Sequence, residues 1–91
     1  MSKQDLVGYL LANRARFGST MIVDCLALAD LKARLKPWER VQPTALCELL
    51  DVSTPSYASR RLKSLVRAGL LEYESGVVGE TGYVLFRVGP A

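Results

Sequence analysis

Apolar residues recur three or four positions apart from the start of the chain: Leu6, Val7, Leu10, Leu11 and Phe17 fall in one stripe, the spacing of a helix with one buried face. The pattern predicts a helix over Lys3–Phe17, with Ser2 as its cap, Asp5 near its positive end and Gly18 as its stop. A second helix is expected over Met21–Lys36, capped by Ser19 or Thr20 and ending before Pro37. Its apolar residues (Met21, Ile22, Val23, Cys25, Leu26, Leu28, Leu31, Leu35) wrap round more than one face, as in a helix buried on several sides. Trp38 and Val41 follow in an extended stretch between Pro37 and Pro43, with Trp38 expected as a core plug between the two halves.

Beyond Pro43 the elements shorten. Pro43 suits the first position of a short apolar helix carrying Ala45, Leu46, Cys47, Leu49 and Leu50. Asp51-Val52-Ser53 reads as a tight turn with Val52 pointing inward. Thr54 then caps a helix over Pro55–Ala68, with Pro55 at the position where proline forfeits no hydrogen bond. Ala58, Leu62, Leu65 and Val66 define its buried face, and Gly69 ends it. Leu70–Glu74 reads as a strand, Ser75–Gly82 as a glycine-rich loop and Tyr83–Val88 as the return strand, with Tyr73 and Tyr83 as hairpin core or cross-strand partners. The expected fold class is α+β, mainly helical, in a single domain spanning 1–91 with no repeat or linker. Residues 1–36 form its N-terminal helices and 38–88 its second part.

Composition narrows what such a domain does. At 49% hydrophobic and 23% charged residues the chain sits in the globular range, and at this length it buries one core with little room for a deep pocket. It has no histidine, no carboxylate cluster at useful spacing and no metal-ligand set, so neither an enzyme nor a metal or other cofactor is expected. Cys25 and Cys47 lie in apolar helical contexts and read as buried small hydrophobes, with a bridge between them left open. Asp24 and Asp30 read as surface acids. The longest uncharged runs, Leu6–Asn13 and Val52–Ser59, fall far short of the roughly twenty apolar residues of a membrane span. The first residues hold Asp5 and no sustained apolar stretch, so no signal peptide and a cytoplasmic, nucleoid-associated location are expected.

The net charge is a modest +3, and its distribution is more informative than its size. Ser53–Ala68 holds four basic residues and no acid, whereas Glu48 and Asp51 precede it. Turning the Pro55–Ala68 helix at about 100° per residue, with Ala58, Leu62 and Leu65 inward, carries Ser56, Tyr57, Arg60, Lys63, Ser64 and Arg67 outward. Ser59 and Arg61 flank that face.

The order short helix, turn, basic helix, strand, loop, strand resembles the winged helix-turn-helix superfamily. The resemblance lies in Ala45-Leu46-Cys47-Glu48-Leu49-Leu50-Asp51-Val52-Ser53 and Arg60-Arg61-Leu62-Lys63-Ser64-Leu65-Val66-Arg67-Ala68-Gly69-Leu70-Leu71. The second stretch looks like a recognition helix running into the first wing strand, as in MarR-like and Lrp-like regulators. The resemblance covers roughly Trp38–Val88 and implies sequence-specific binding of double-stranded DNA, with the Pro55–Ala68 helix in the major groove, and a role in transcription regulation. Arg60 and Lys63 are then the first candidates for groove contacts, Ser56, Tyr57 and Ser59 for short hydrogen bonds near the helix start, and Arg61, Ser64 and Arg67 for backbone contacts. The loop tip carries Glu80 and no Lys or Arg, so it is expected to add little phosphate attraction. The apolar surplus of Leu6–Leu35 points to a homodimer. It equally suits the alternative, a winged-helix protein–protein interaction module in a larger assembly.

Overall fold

Ser2 accepts the Asp5 N–H on its hydroxyl at 3.2 Å and opens α1 (Lys3–Ala12). The computed structural model describes residues 1–76 and 81–91. After α1 come α2 (Arg14–Phe17), α3 (Ser19–Arg34), α4 (Pro43–Leu50), α5 (Pro55–Arg67), β1 (Leu71–Ser75) and β2 (Tyr83–Val88). The described residues are thus α+β and mostly helical, with a two-stranded antiparallel hairpin.

The helix expected over Lys3–Phe17 is two helices. Asn13 breaks it: its side-chain amide donates to the Tyr9 carbonyl at 2.8 Å, and its backbone leaves the helical region. A short amide that bonds the preceding turn competes with the helix's own ladder. Gly18, at φ +81°, then lets the chain reverse into α3. Ser19 and Thr20 lie inside that helix, with Gly18 in the cap position, so neither hydroxyl caps it. At the far end α3 stops at Arg34, two residues short of the expectation: Leu35 is already extended, one residue before Lys36, the position that Pro37 biases away from the helical conformation.

α3 is the hub. It packs against α1, α2, α4, α5 and β2, and its Ile22, Cys25 and Leu28 are buried. Leu6 and Leu10 of α1, Phe17 of α2, Leu46 and Leu50 of α4, and Leu62 and Leu65 of α5 join them in one core. Packing against this core consumes most of the apolar surplus of the first two elements. Leu11 and Val23 are left exposed, and Met21, Leu26 and Leu31 are half-buried against the core.

The α3–α4 link departs furthest from expectation. Trp38 is 73% exposed and does not plug the core. Its backbone sits at φ +66° in the turn after Pro37, and its ring meets Phe86 edge-on at 5.4 Å. Phe86 faces outward because the hairpin register slips there: Glu72 pairs with Arg87 and Tyr73 with Leu85, which leaves Phe86 as the extra residue of a bulge. Val41 is the link residue that enters the core, 4% exposed. It exchanges two backbone hydrogen bonds with Tyr83, at 2.8 and 2.9 Å, tying the link to the hairpin.

That tie needs Gly82. Its φ is +100°, and a Cβ there would stand 2.9 Å from the Val41 carbonyl oxygen. Gly82→Ala is therefore expected to destabilise the fold by about 1–3 kcal/mol. Gly8→Ala, in α1 with open space around it, should gain up to about 1 kcal/mol from helix propensity alone. Urea unfolding of the two variants checks the opposite signs, and equal midpoints would refute the close approach.

Candidate functional site

The surface singled out by the sequence is the outer face of α5. The chain reaches it through a turn fixed at both ends. Asp51 closes α4 in the left-handed conformation, φ +55°. Thr54 opens α5, its hydroxyl accepting the Tyr57 N–H at 3.4 Å, an arrangement worth about 1 kcal/mol. Pro55 takes the first helical position. At the other end Gly69 donates to Val66 and Leu70 to Leu65. This paired closure with a left-handed glycine stops a helix and turns the chain into the next element.

Burial along α5 separates two faces. Ala58, Leu62 and Leu65 are buried, while Ser56, Tyr57, Arg60, Lys63, Ser64 and Arg67 are exposed and Ser59 is half-buried. Val66, expected on the inner face, is 44% exposed. It lines an open groove between α5 and the hairpin together with Lys63, Arg67, Tyr73 and Arg87. A residue one step past Leu65 lies about 100° round the helix, too far to share its inward direction.

Arg61 departs furthest from the expected outer face. It is turned inward, its Nε donating to Asp24 Oδ2 at 2.7 Å and its Nη2 to Asp24 Oδ1 at 2.9 Å. A longer contact of 3.4 Å reaches the Leu50 carbonyl at the end of α4. Asp24 is only 3% exposed, so it is not the surface acid expected of it. The hydrogen bonds from Arg61 satisfy its carboxylate, and the same bonds hold the guanidinium pKa above its ordinary value against the opposing effect of burial. Asp30 is exposed as expected and pairs with Lys3 at 2.9 Å.

A signal for the buried pair was present. Asp24 is the only charged residue between Arg16 and Asp30, in the most apolar stretch of α3, and Arg61 stands three residues after Ala58 and four before Leu65. A lone acid in a buried helix calls for a cation, and Arg61 is the basic residue of α5 that borders its buried face.

With Arg61 removed, three cations remain on the outer face. Arg60, Lys63 and Arg67 form no ion pair among the described residues. The chain's other nine Lys and Arg match its nine Asp and Glu in number, so the net +3 equals the charge of this one face. The Arg60 guanidinium lies over the Tyr57 ring, 5.7 Å from its centroid, which orders a side chain that would otherwise sample many rotamers. Ser64 is less available, because its hydroxyl donates back to the Arg60 carbonyl at 3.1 Å.

The hairpin supports this face from one side. Tyr73 and Tyr83 meet edge-on at 5.6 Å, as the sequence suggested, and burial, then the neighbouring Tyr83, raises the Tyr73 pKa. Arg87 is occupied at the hairpin base. It donates to the carbonyls of Gly69 and Gly89 and lies 3.8 Å from Glu72. The loop tip with Glu80 lies outside the described residues.

Cys25 and Cys47 are free thiols. Burial, then the adjacent Asp24 charge, pushes the Cys25 thiol up to about 11, the opposite of what a nucleophile needs. Among the described residues no three His, Cys, Asp or Glu side chains gather as a metal site, and no helix is long and apolar enough to cross a membrane. Compared with known proteins, the chain matches no protein family, no curated protein and no solved structure.

Proposed function

We propose that the chain is a winged helix-turn-helix protein that binds double-stranded DNA sequence-specifically, with α5 in the major groove, and acts as a transcription regulator. In this reading α4, the Asp51–Thr54 turn and α5 are the helix-turn-helix, and β1 and β2 form the wing. The Val41–Tyr83 bridge adds the short third strand edge that fastens the wing to the helices. The observation that carries the reading is the outer face of α5: Arg60, Lys63 and Arg67 exposed, without acidic partners among the described residues, on a helix with no acid along its length. A helix with its side chains is about 10–12 Å across, which suits the major groove, about 12 Å wide, and the 13 residues of α5 run about 20 Å along it. Ser56 and Tyr57 stand exposed at its N-terminal end, the end from which groove helices commonly reach base edges.

Binding to a mixed-sequence duplex, followed by fluorescence anisotropy across a salt series, tests the reading. If all three cations contact phosphates, the slope of log affinity against log salt should be near about −2.7, from about −0.9 for each, and a cation that reads a base instead makes it shallower. No binding by the folded protein at low salt would overturn it. One observation would then favour a protein partner, the exposed Trp38–Phe86 pair, since aromatic residues are enriched in interface cores. The homodimer expected from the N-terminal helices has less to stand on now that their apolar residues are largely committed to the core.

A further inference from the structure

The contact between Arg61 and Asp24 joins three elements through one guanidinium: α5 from its own backbone, α3 through the Asp24 carboxylate, and α4 through the Leu50 carbonyl. Asp24 is buried and Arg61 half-buried; taking even one charge of a pair out of water is costly, and apolar residues of similar volume often stabilise as well. What an apolar contact lacks is direction. Leu62 and Leu65 hold α5 against the core, but side-chain packing between helices leaves crossing angles scattered by about 15–20°. A two-pronged guanidinium–carboxylate contact is planar and fixes the angle between its partners. Along α5 each residue advances about 100°, so holding Arg61 also sets where Arg60, Lys63 and Ser64 point.

We infer that Asp24 and Arg61 are positioning residues that fix the rotation of α5 on α3, and so determine which face of α5 is offered to a partner. The consequence for DNA rests on the function proposed above; the consequence for helix orientation does not. Asp24→Asn separates positioning from simple charge, because it raises the net charge by one and releases the Arg61 guanidinium. If charge alone mattered, the variant would bind duplex more tightly. Positioning predicts the reverse, a loss of about tenfold, the scale of one good base contact.

Asp30→Asn is the matched control. Asp30 lies on the same helix and is also ion-paired, but with Lys3 at the surface, so it adds the same charge without touching α5. The experiment measures duplex affinity of wild type, Asp24→Asn and Asp30→Asn by anisotropy. It also measures the orientation of α5 relative to α3 from amide residual dipolar couplings of the free proteins. Weaker binding by Asp24→Asn, unchanged or tighter binding by Asp30→Asn, and a reoriented α5 in Asp24→Asn alone are expected. An α5 that keeps its orientation in Asp24→Asn overturns the inference, whatever the affinities. If wild type does not bind duplex, the DNA reading fails and the orientation measurement alone decides this one. Should Asp24→Asn not fold, Arg61→Lys keeps the charge and removes the fork. A reoriented helix in that variant supports positioning, and an unmoved one refutes it.

Discussion

Truncating Leu62 to alanine should lower folding stability by about 2–5 kcal/mol. Leu62 is fully buried, at the middle of the inner face of α5, and belongs to the same core as Leu28, Leu46 and Leu85. Removing its three outer carbons loses their burial and leaves a cavity that surrounding helices fill only in part. A domain of this size commands roughly 5–14 kcal/mol in total, at about 0.05–0.15 per residue, so the variant is expected to stand close to its unfolding threshold. Lys63→Ala, one residue along and exposed, should change stability by less than about 0.5 kcal/mol. Urea unfolding of both gives the contrast: a much lower midpoint with unchanged slope for the first, little change for the second. A loss below about 1 kcal/mol for Leu62→Ala would mean that α5 is not anchored by this face.

The contrast between Leu62 and Lys63 was legible in the sequence because it is local. Helical periodicity acts over a few residues, and Ala58, Leu62 and Leu65 repeat with it. The same locality made Ser2, Thr54, Pro43, Pro55 and Gly69 readable as starts and stops, and β2 ends where its pattern ends. The failures come from distance. The apolar surroundings of Asp24 call for a cation but do not name the one, 37 residues later, that meets it, and Trp38 meets Phe86, which lies far along the chain at a bulge of the hairpin. Asn13 is a local failure of another kind. Its neighbours favour a helix, and the break falls where its amide bonds the Tyr9 carbonyl and its backbone leaves the helical region.

For the candidate site the same division holds. The outward direction of Tyr57, Arg60, Lys63 and Arg67 follows from rotation about the α5 axis and was recoverable from spacing. Which cations stay unpaired was not recoverable, since that depends on where every acid of the other elements ends up. Asp24 takes Arg61, Glu72 approaches Arg87 and Asp30 takes Lys3. The four basic residues of the segment therefore split into one internal brace and three exposed charges, although along the sequence Arg60 and Arg61 are adjacent and alike.

That split makes the Arg60→Ala/Lys63→Ala double variant the most demanding test of the proposed function. Both side chains are exposed, and neither bonds an acid among the described residues, so their removal should leave stability within about 1 kcal/mol of wild type. Their expected contribution to DNA binding is far larger. A guanidinium or ammonium placed on a guanine edge is worth about 1–3 kcal/mol, and two together predict a loss of affinity of about a hundredfold or more. The form of the loss is also fixed. If both contact phosphates, the salt slope should flatten by roughly 1.8, about 0.9 for each. If Arg60, ordered by Tyr57 beneath it, instead reads a base, its share of the loss should appear as weakened preference among duplex sequences with little change in slope. Anisotropy against several duplexes over a salt series distinguishes the two. A double variant that binds every duplex as tightly as wild type, with an unaltered slope, would remove α5 from the interface and move the binding surface to another part of the molecule.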